Sequence, residues 1–278
     1  MTHCIRMSLA AVIVAFAQLG TCYGADTVRV AVQKTGTLAW ELAVIRAHGL
    51  DRQADLTVQA IELASPEAGK IALRAGNADI IVSDWLWVSR ERTLGAKLTF
   101  YPYSSALGAV MVPASSSIQT LADLKGRKLA VAGGPIDKNW LLLQAFLKQG
   151  GIDLKSDATI AYGAPPLLMA KTLGGEMDAT LNYWNFCAVM EAKGFRRVAG
   201  IEDLLPKLGA RGRTAMIGYV FDEKWASANQ DAIARFIAMT RKAKEILSGS
   251  DAAWETIAPL TGAADAATST TVKSENRR

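Results

Sequence analysis

The sequence predicts an α/β protein with two doubly wound lobes that are joined by two crossings of the chain and enclose a ligand cleft. First, the segment 75–87 is repeated as 174–186 at a constant offset. Second, apolar strands alternate with helical stretches in both halves, as in largely parallel sheets covered by helices. Third, the apolar runs Ala109–Val112 and Ala215–Phe221 suit two crossings between lobes.

The repeat pairs residues of similar character in the two halves. The pairs are Gly76 with Gly175, Asp79 with Asp178, Ser83 with Asn182, Trp85 with Trp184 and Trp87 with Phe186. Solenoid units recur at about 20–50 residues, so a unit that returns after 99 positions indicates two similar lobes. Chance similarity between two ordinary βαβ segments is the alternative. The two aspartates are interpreted as caps of the turns after their helices rather than as ligand contacts.

Residues 1–24 are predicted to be a signal peptide. Arg6 precedes an apolar stretch over 8–19, which is too short to span a bilayer at ~20 residues. Small residues around Cys22 and Gly24 then suit cleavage before Ala25. An N-terminal core helix is one alternative. Lipid anchoring at Cys22 is another, although Thr is a poor residue before such a cysteine.

Composition limits the classes of function. Cys4 and Cys22 lie in the predicted signal peptide, so Cys187 remains alone and no internal disulfide is expected. The net charge of +5 becomes about +4 without Arg6. This mild positive balance favours anionic small molecules. It is too weak and too dispersed for nucleic acid, since no Lys/Arg tract with interleaved aromatic residues is present.

The first half of the mature chain reads as β-α-β-α-β. Thr37 and Ser65 are candidate N-caps, and Gly49 and Gly76 are candidate helix stops. The predicted elements are strand Thr27–Gln33, helix Leu38–Ala47, strand Leu56–Leu63, helix Pro66–Ala75 and strand Ile80–Val82.

The same order restarts in the second half. Its predicted elements are a short helix ending at Gly126, strand Lys128–Ala132, helix Asn139–Lys148, strand Thr159–Tyr162, helix Pro166–Leu173, strand Ala179–Leu181, and the later helices Gln230–Leu247 and Ala252–Leu260. Lobe one is therefore predicted to comprise residues 25–112 plus 213–278, and lobe two residues 113–212. The segment 273–278 is interpreted as a frayed polar tail.

Ligands in open α/β sheets bind beyond the carboxyl ends of the strands. Four segments satisfy this rule: 34–37, 83–87, 133–138 and 182–186. No catalytic residue, metal ligand or cofactor is predicted. The candidate ligand-binding residues are Lys34, Thr35, Gly36, Thr37, Ser83, Asp84, Trp85, Gly133, Gly134, Asp137, Lys138, Asn182, Tyr183 and Trp184.

The loops before the two helices place free N–H groups at the cleft, which favours carboxylates, sulfonates or phosphates. Gly36, Gly133 and Gly134 allow close approach of the backbone, and Lys34 and Lys138 add charge. Ordinary βα turns with solvated lysines are the alternative interpretation.

Aromatic walls are typical of small-molecule pockets. If 83–87 is extended, its side chains alternate, and Trp85 points to the side opposite Asp84. Trp85 and Trp184 are predicted at the cleft, whereas Trp40 and Trp140 fit the core equally well.

Support for catalysis is weak. The mature chain retains only His48 and Cys187 as histidine and cysteine. It contains no nucleophile elbow, zinc-protease motif or Walker loop. The acidic residues that could form a cation site are Glu41, Glu67, Asp84 and Asp137. Their spacing matches no calcium or zinc motif.

Four stretches carry a family resemblance. Residues 30–36 read Val-Ala-Val-Gln-Lys-x-Gly, 72–80 read Ala-Leu-Arg-Ala-Gly-x-x-Asp-Ile, 121–131 read Leu-Ala-Asp-Leu-Lys-Gly-Arg-Lys-Leu-Ala-Val, and 175–179 read Gly-x-x-Asp-Ala. This series resembles the periplasmic solute-binding proteins of the nitrate/sulfonate/taurine ABC-importer family, from about residue 27 to 250. The third stretch is specific to two-lobed binding proteins in general, and only the whole series points to this family.

The resemblance implies the type II periplasmic-binding fold and a monomer in the periplasm that closes its lobes on a small oxyanion. It also implies delivery to a membrane permease with a cytoplasmic ATPase. The family often has a small hydroxyl residue in the loop that matches 133–138, where this chain has Gly134-Pro135-Ile136-Asp137. The acidic Asp137 favours a zwitterion or another ligand over a plain sulfonate. The family also usually continues with further helices on lobe one, whereas this sequence becomes polar after Ala267.

Two alternatives to a transport receptor are kept open. One is an enzyme on the same fold, similar to a pyrimidine-synthesis protein of the thiamine pathway, which would need His48 or Cys187 in the cleft. The other is a receptor for a metal ion or metal complex that uses Asp84 and Asp137.

Overall fold

The computed structural model describes residues 25–212, 214–263 and 265–276. The predicted signal peptide 1–24, with the cleavage point near Gly24 and the alternative anchor at Cys22, lies outside the described residues. Within the described ranges, no helix has both the length and the apolar character needed to cross a membrane.

Ten strands form the two sheets. They are β1 (Asp26–Gln33), β2 (Leu56–Leu63), β3 (Ile80–Asp84), β4 (Leu98–Ser104), β5 (Gly108–Pro113), β6 (Lys128–Ala132), β7 (Thr159–Gly163), β8 (Ala179–Tyr183), β9 (Phe195–Gly200) and β10 (Ile217–Asp222).

Helices cover the sheets. They are α1 (Thr37–His48), α2 (Leu50–Gln53), α3 (Pro66–Arg74), α4 (Trp85–Thr93), α5 (Lys138–Gln149), α6 (Leu154–Asp157), α7 (Pro165–Leu173), α8 (Trp184–Ala192), α9 (Glu223–Ala228), α10 (Gln230–Gly249), α11 (Asp251–Ile257) and α12 (Ala266–Asn276). Short 3₁₀ turns occur at Leu121–Leu124, Glu202–Leu204, Pro206–Leu208 and Ala258–Leu260.

The two sheets share one plan. The first has the order β2-β1-β3-β10-β4, and the second has the order β7-β6-β8-β5-β9. In each, the first three strands are parallel, and the fourth is antiparallel to both of its neighbours. The predicted two-lobed α/β fold with a doubly wound sheet in each lobe is confirmed.

The Gly-x-x-Asp repeat has the same structural role in both sheets. The Asp79 carboxylate accepts a hydrogen bond from the backbone N–H of Arg29 at 2.8 Å, and the Asp178 carboxylate accepts one from Lys128 at 2.7 Å. Each aspartate also donates its own backbone N–H to the carbonyl of the same partner. The aspartates therefore lock the turn before β3 or β8 to the start of β1 or β6, as the interpretation as turn caps predicted.

The first crossing occurs earlier than predicted. The boundary at 112/113 assigned Ala109–Val112 to lobe one, but β5 pairs with β8 and β9 and so belongs to the second sheet. The chain leaves the first sheet after Ser104 and returns at Ile217. An apolar run alone could not show which sheet the strand joins, because a central strand of either sheet is buried on both faces.

Residues 83–87 are not extended throughout, although the predicted alternation of their side chains required an extended segment. β3 ends at Asp84 and α4 begins at Trp85, because the Asp84 carboxylate accepts the Trp87 N–H at 2.8 Å and caps the helix. β8 and α8 meet in the same way at Tyr183 and Trp184. The strand alternation that was expected to separate Asp84 from Trp85 therefore does not apply.

Two helix ends also differ from expectation. Gly36, not Thr37, is the N-cap of α1, and no side chain caps that helix. Gly49 ends α1 at φ +61°, as predicted. The tail that was expected to be frayed is helical up to Asn276 and belongs to α12. This helix packs on α8 and buries Val272 completely. The Thr-rich sequence has no apolar stripe, since the buried residues of this helix are Thr268 and Val272.

One hydrophobic core runs across both lobes. Ala188 and Val189 of α8 lie in the same buried cluster as Trp40 of α1 and Trp254 of α11. The rings of Trp40 and Trp184 meet edge to face at 5.7 Å. Both Trp40 and Trp140 are fully buried, so the core interpretation of these two residues is correct.

Candidate functional site

A cleft of about 1080 Å³, counting space open to solvent, lies between the two sheets. Its walls come from the carboxyl ends of β1, β2 and β3 on one side and from the start of α5 and the end of β8 on the other. This is where ligands bind in open α/β sheets. The candidate residues that line it are Thr35, Gly36, Thr37, Ser83, Asp84, Asp137, Lys138, Tyr183 and Trp184.

The other candidate residues do not line the cleft. Lys34 is exposed to solvent. The Trp85 indole N–H points to the sulfur of Met216 at 3.0 Å, and its ring is 38% exposed. Asn182 donates to the Pro165 carbonyl and accepts from the Tyr183 N–H, so its amide stabilises the end of β8.

Gly133 and Gly134 leave room for neighbouring side chains at the second lobe's side of the cleft. Gly133 has φ +83°, and a Cβ there would lie 2.9 Å from the Tyr183 hydroxyl oxygen. A side chain at this position would be strained and would displace Tyr183. A Cβ on Gly134 would lie 3.9 Å from a carboxylate oxygen of Glu67, so the first lobe approaches the second at this point.

Asp137 organises the corner of the second lobe. One carboxylate oxygen accepts the Asn139 N–H at 2.9 Å and caps α5, and the other accepts the Tyr183 hydroxyl at 2.9 Å. The Lys138 ammonium lies 3.8 Å from Asp137 and 4.7 Å from the Tyr183 ring centroid. Burial, with the adjacent Asp137 charge, raises the pKa of Tyr183 well above its ordinary value. The hydroxyl therefore remains a donor to Asp137 at neutral pH.

Lys70 is the main cationic group on the first lobe's side, and the sequence analysis did not select it. It is 9% exposed, lines the cleft, and lies over the ring of Trp87 at 5.4 Å. In the described part of the chain, no carboxylate lies within 4.0 Å of its ammonium group. The sequence signal that could have identified Lys70 is its position one turn into α3. This helix starts at Ser65-Pro66, and the repeat pairs Pro66 with Pro165.

The two helices that open on the cleft differ in how they are capped. α1 begins after Gly36 without a side-chain cap, so its first N–H groups remain available to a ligand. α5 begins with Asp137, whose carboxylate occupies the equivalent place. The first lobe therefore presents positive electrostatic potential, and the second presents a carboxylate.

The lobes also contact each other directly beside the cleft. The Asn185 amide donates to the Thr35 carbonyl across the lobes at 3.3 Å. Trp184, one residue earlier, packs on Trp40. α8 therefore holds the second lobe against the start of α1.

A buried polar cluster lies below Tyr103, which lines the cleft. The Tyr103 hydroxyl donates to Glu41 at 2.5 Å, and the Lys244 ammonium lies 3.6 Å from the other Glu41 oxygen. Lys244 also lies 3.4 Å from the centroid of the Tyr103 ring. Burial raises the pKa of Glu41 to about 7, although the charge of Lys244 acts in the opposite direction.

The residues that the enzyme alternative needs lie elsewhere. His48 is exposed at the end of α1, and Cys187 is fully buried in α8 with its thiol near the Asn182 and Ala109 carbonyls. Burial raises the pKa of Cys187 to about 12, so the thiolate form is scarce at neutral pH. Among the described residues, no three His, Cys, Asp or Glu side chains cluster in a way that could hold a metal ion.

Two solved structures with the same fold are named as sulfonate-binding proteins. The alkanesulfonate-binding protein SsuA from Xanthomonas axonopodis pv. citri, bound to MOPS, matches with a TM-score of 0.71 and 22% identity over 88% of this chain and 83% of that one. The aliphatic sulphonate binding protein SsuA from Escherichia coli matches with a TM-score of 0.70 and 21% identity over 91% and 84%.

A more distant neighbour is the periplasmic nitrate-binding protein NrtA from Synechocystis PCC 6803. It matches with a TM-score of 0.62 and 12% identity over 84% of this chain and 65% of that one. These three likenesses confirm the type II periplasmic-binding fold that the sequence resemblance implied. The search among curated proteins finds no significant match.

A family model described as NMT1/THI5 like matches residues 42–249, which include both sheets apart from β1. Since this match spans most of the 278 residues, the chain belongs to the NMT1/THI5-like family.

Proposed function

We propose that the chain is the substrate-binding component of an ABC importer. It acts as a monomer in the periplasm after loss of residues 1–24, and delivers its ligand to a membrane permease with a cytoplasmic ATPase. Its lobes are residues 25–104 with 217–263, and residues 108–212, and α12 packs on α8 of the second lobe. The proposal is supported by the named roles of the SsuA and NrtA proteins, which share this fold.

We further propose that the ligand is a small anionic or zwitterionic organic molecule of the sulfonate or taurine kind. The observation that carries this proposal is the difference between the two sides of the cleft. Lys70 and the uncapped start of α1 favour an anionic group. Asp137, in the same cleft, favours a cationic group such as an ammonium.

The cleft walls explain why an organic ligand is favoured over a bare inorganic anion. Leu38, Leu63, Leu107 and Ile217 line it beside the polar groups. Transfer of apolar surface from water contributes roughly 25 cal/mol per Å². Nitrate, which carries no apolar part, gains nothing from such walls.

Calorimetry and tryptophan fluorescence test the proposal directly, because Trp184 lines the cleft. We expect taurine or an alkanesulfonate to bind with one-to-one stoichiometry and to change the emission. A complete lack of response to taurine, alkanesulfonates and nitrate would refute the ligand class. Co-reconstitution with a permease and ATPase of this importer class would test the transport role.

The two alternatives have separate tests. An enzyme would show turnover that is lost on changing His48 and Cys187 to Ala, but neither residue lines the cleft. A metal receptor would bind divalent or trivalent cations in calorimetry, and the binding would depend on Asp84 and Asp137. Both carboxylates already serve as helix N-caps.

A further inference from the structure

Two cleft-lining side chains are buried and have unpartnered polar atoms. The Ser83 hydroxyl belongs to a residue that is 7% exposed, and both polar atoms of the Asn139 amide belong to one that is 1% exposed. None of these atoms has a hydrogen-bonding partner among the described protein groups. Burying such atoms unpaired is unfavourable, because they lose their hydrogen bonds to water. A site that binds a complementary ligand recovers this cost on binding.

Both residues lie at the inner end of the cleft, where the chain crosses between the lobes. Ser83 pairs with Gly218 of β10, just after the returning crossing. A Cβ on Gly108, just after the first crossing, would lie 3.0 Å from the Asn139 amide nitrogen. Ser83 comes from the first lobe and Asn139 from the second, so a ligand between them would contact both lobes.

Leu107 and Ile217 line the cleft with these residues, and the adjacent carboxylates already accept hydrogen bonds: Asp84 from the Trp87 N–H, and Asp137 from the Asn139 N–H and the Tyr183 hydroxyl. An ammonium group offers no acceptor to the Asn139 amide nitrogen, and a sulfonate offers no donor to its oxygen. A carboxamide side chain offers one acceptor and two donors, and a hydroxyl offers both functions.

The repeat shows that this feature is specific to Ser83. Its counterpart in the second lobe, Asn182, has its amide oxygen and nitrogen both occupied by backbone groups. The Ser83 hydroxyl has no such partner. The same strand end therefore has its polar side chain paired in one lobe and unpaired in the other.

We propose that Ser83 and Asn139 form a neutral subsite that binds a carboxamide or urea group of the ligand, while Lys70 and the start of α1 bind its anionic group. This inference rests on the proposed function and narrows the ligand class. The ligand then has an anionic end and, at the other end, an uncharged group that both donates and accepts hydrogen bonds. Simple alkanesulfonates lack the second feature.

Matched probes test the subsite. The first set is N-carbamoyltaurine and its homologues of increasing chain length, and the second is the alkanesulfonates of the same shape, such as 4-methylpentane-1-sulfonate. In calorimetry, the wild-type protein should bind the best ureido compound at least about tenfold more tightly than its alkyl counterpart.

Variants identify which atoms produce this preference. Asn139→Leu keeps the branching of the side chain and removes the hydrogen-bonding atoms, so it should reduce the preference to less than about twofold while alkyl binding remains. Ser83→Ala should reduce it in part and serves as an independent variant if Asn139→Leu does not fold. Thr180→Val is the control, because it removes another buried unpartnered hydroxyl that does not line the cleft.

The ligand-free proteins provide a second measurement. Removal of an unpaired buried hydroxyl should raise the Tm of Ser83→Ala by roughly 2–4 °C. A fall in Tm would mean that the hydroxyl already has a structural partner, and it would overturn the subsite.

The outcomes separate the two proposals. If the alkyl and ureido compounds bind equally, the subsite is wrong and its side chains bind water, while anion capture stands. A ureido preference that survives in both variants would place urea recognition elsewhere and also overturn it. If no compound of either set binds, anion capture itself is wrong and the subsite fails with it.

Discussion

The Lys70 ammonium lies 5.4 Å from the centroid of the Trp87 ring, at the edge of the cleft. The aromatic face stabilises the cation without neutralising it, unlike a carboxylate partner. Trp87 is fixed in turn, since its backbone N–H is bound by Asp84 at the start of α4. Lys70 is therefore held in place with its charge available to a ligand.

Replacement of Lys70 by Met should weaken binding of an anionic ligand by about tenfold to a hundredfold, since hydrogen bonds to charged groups contribute about 1.5–3 kcal/mol. Calorimetry with the best-binding sulfonate measures this effect. Lys148→Met is the matched control, because this exposed lysine lies at the far end of α5 and pairs with Asp153. Equal losses in the two variants would indicate general steering and not contact with Lys70.

Asp137→Asn should change specificity more than affinity. The amide can still cap α5, but it no longer attracts an ammonium group. We expect the ratio of taurine affinity to propanesulfonate affinity to fall by about tenfold, because the two ligands differ in the charged end. A ratio that stays constant would mean that Asp137 has only the structural role of holding Tyr183.

Stability should fall as the pH rises from 4.5 to about 7 because of Glu41. Its pKa is about 7 in the folded protein against an ordinary value of 4.5, so folding takes up a proton in this window. The contribution is fully present below 4.5 and is lost as the pH rises through 7. Its upper limit is about 3 kcal/mol at 1.36 kcal/mol per pKa unit.

Glu41→Gln removes the ionisation and should flatten the dependence of Tm on pH across this window. Its Tm at any single pH is less informative, because the half-buried Lys244 loses its counter-charge. Glu245→Gln, an exposed change on α10, should leave the pH dependence as in the wild type. If Glu41→Gln keeps the wild-type slope, another group causes it.

The hydrogen bonds of Asp79 and Asp178, which fix the turns before β3 and β8, should differ in their contribution to stability. Asp79 accepts from the Arg29 backbone and also pairs with the Arg29 guanidinium, whereas Asp178 accepts from the Lys128 backbone. In denaturant unfolding, Asp79→Ala should cost about 1–3 kcal/mol, and Asp178→Ala should cost less. Asp178→Asn should be close to neutral, because the amide oxygen still accepts the N–H. A larger loss for Asp178→Ala would contradict this order.

The sequence allowed the two-sheet fold to be predicted because the repeat reports on backbone geometry. Gly76 and Gly175 both adopt positive φ, and the aspartates that follow them make the same hydrogen bond. Local chemistry of this kind can be read directly from residue types. The sheet membership of β5 could not, because it depends on long-range pairing with β8 and β9.

The site was predicted only in part, for a related reason. The rule that ligands bind at strand ends predicted Asp137, Lys138 and Tyr183, which form one connected corner. Lys70 lies one turn into α3 and Asn139 is the second residue of α5, so a rule restricted to strand ends and loops selects neither of them. Asn182 looked equivalent to Ser83, but its amide bonds to Pro165 of a neighbouring helix.

The chain leaves the first sheet after β4 and returns to it only at β10, and this path determines the order in which the two sheets can form. All strands of the second sheet lie within residues 108–200, so that sheet can assemble as soon as this stretch is available. In the first sheet, β4 pairs only with β10, which follows more than a hundred residues later. Closing so long a loop is slow. The lobe that begins first is thus completed last, and β4 is an unpaired edge until then.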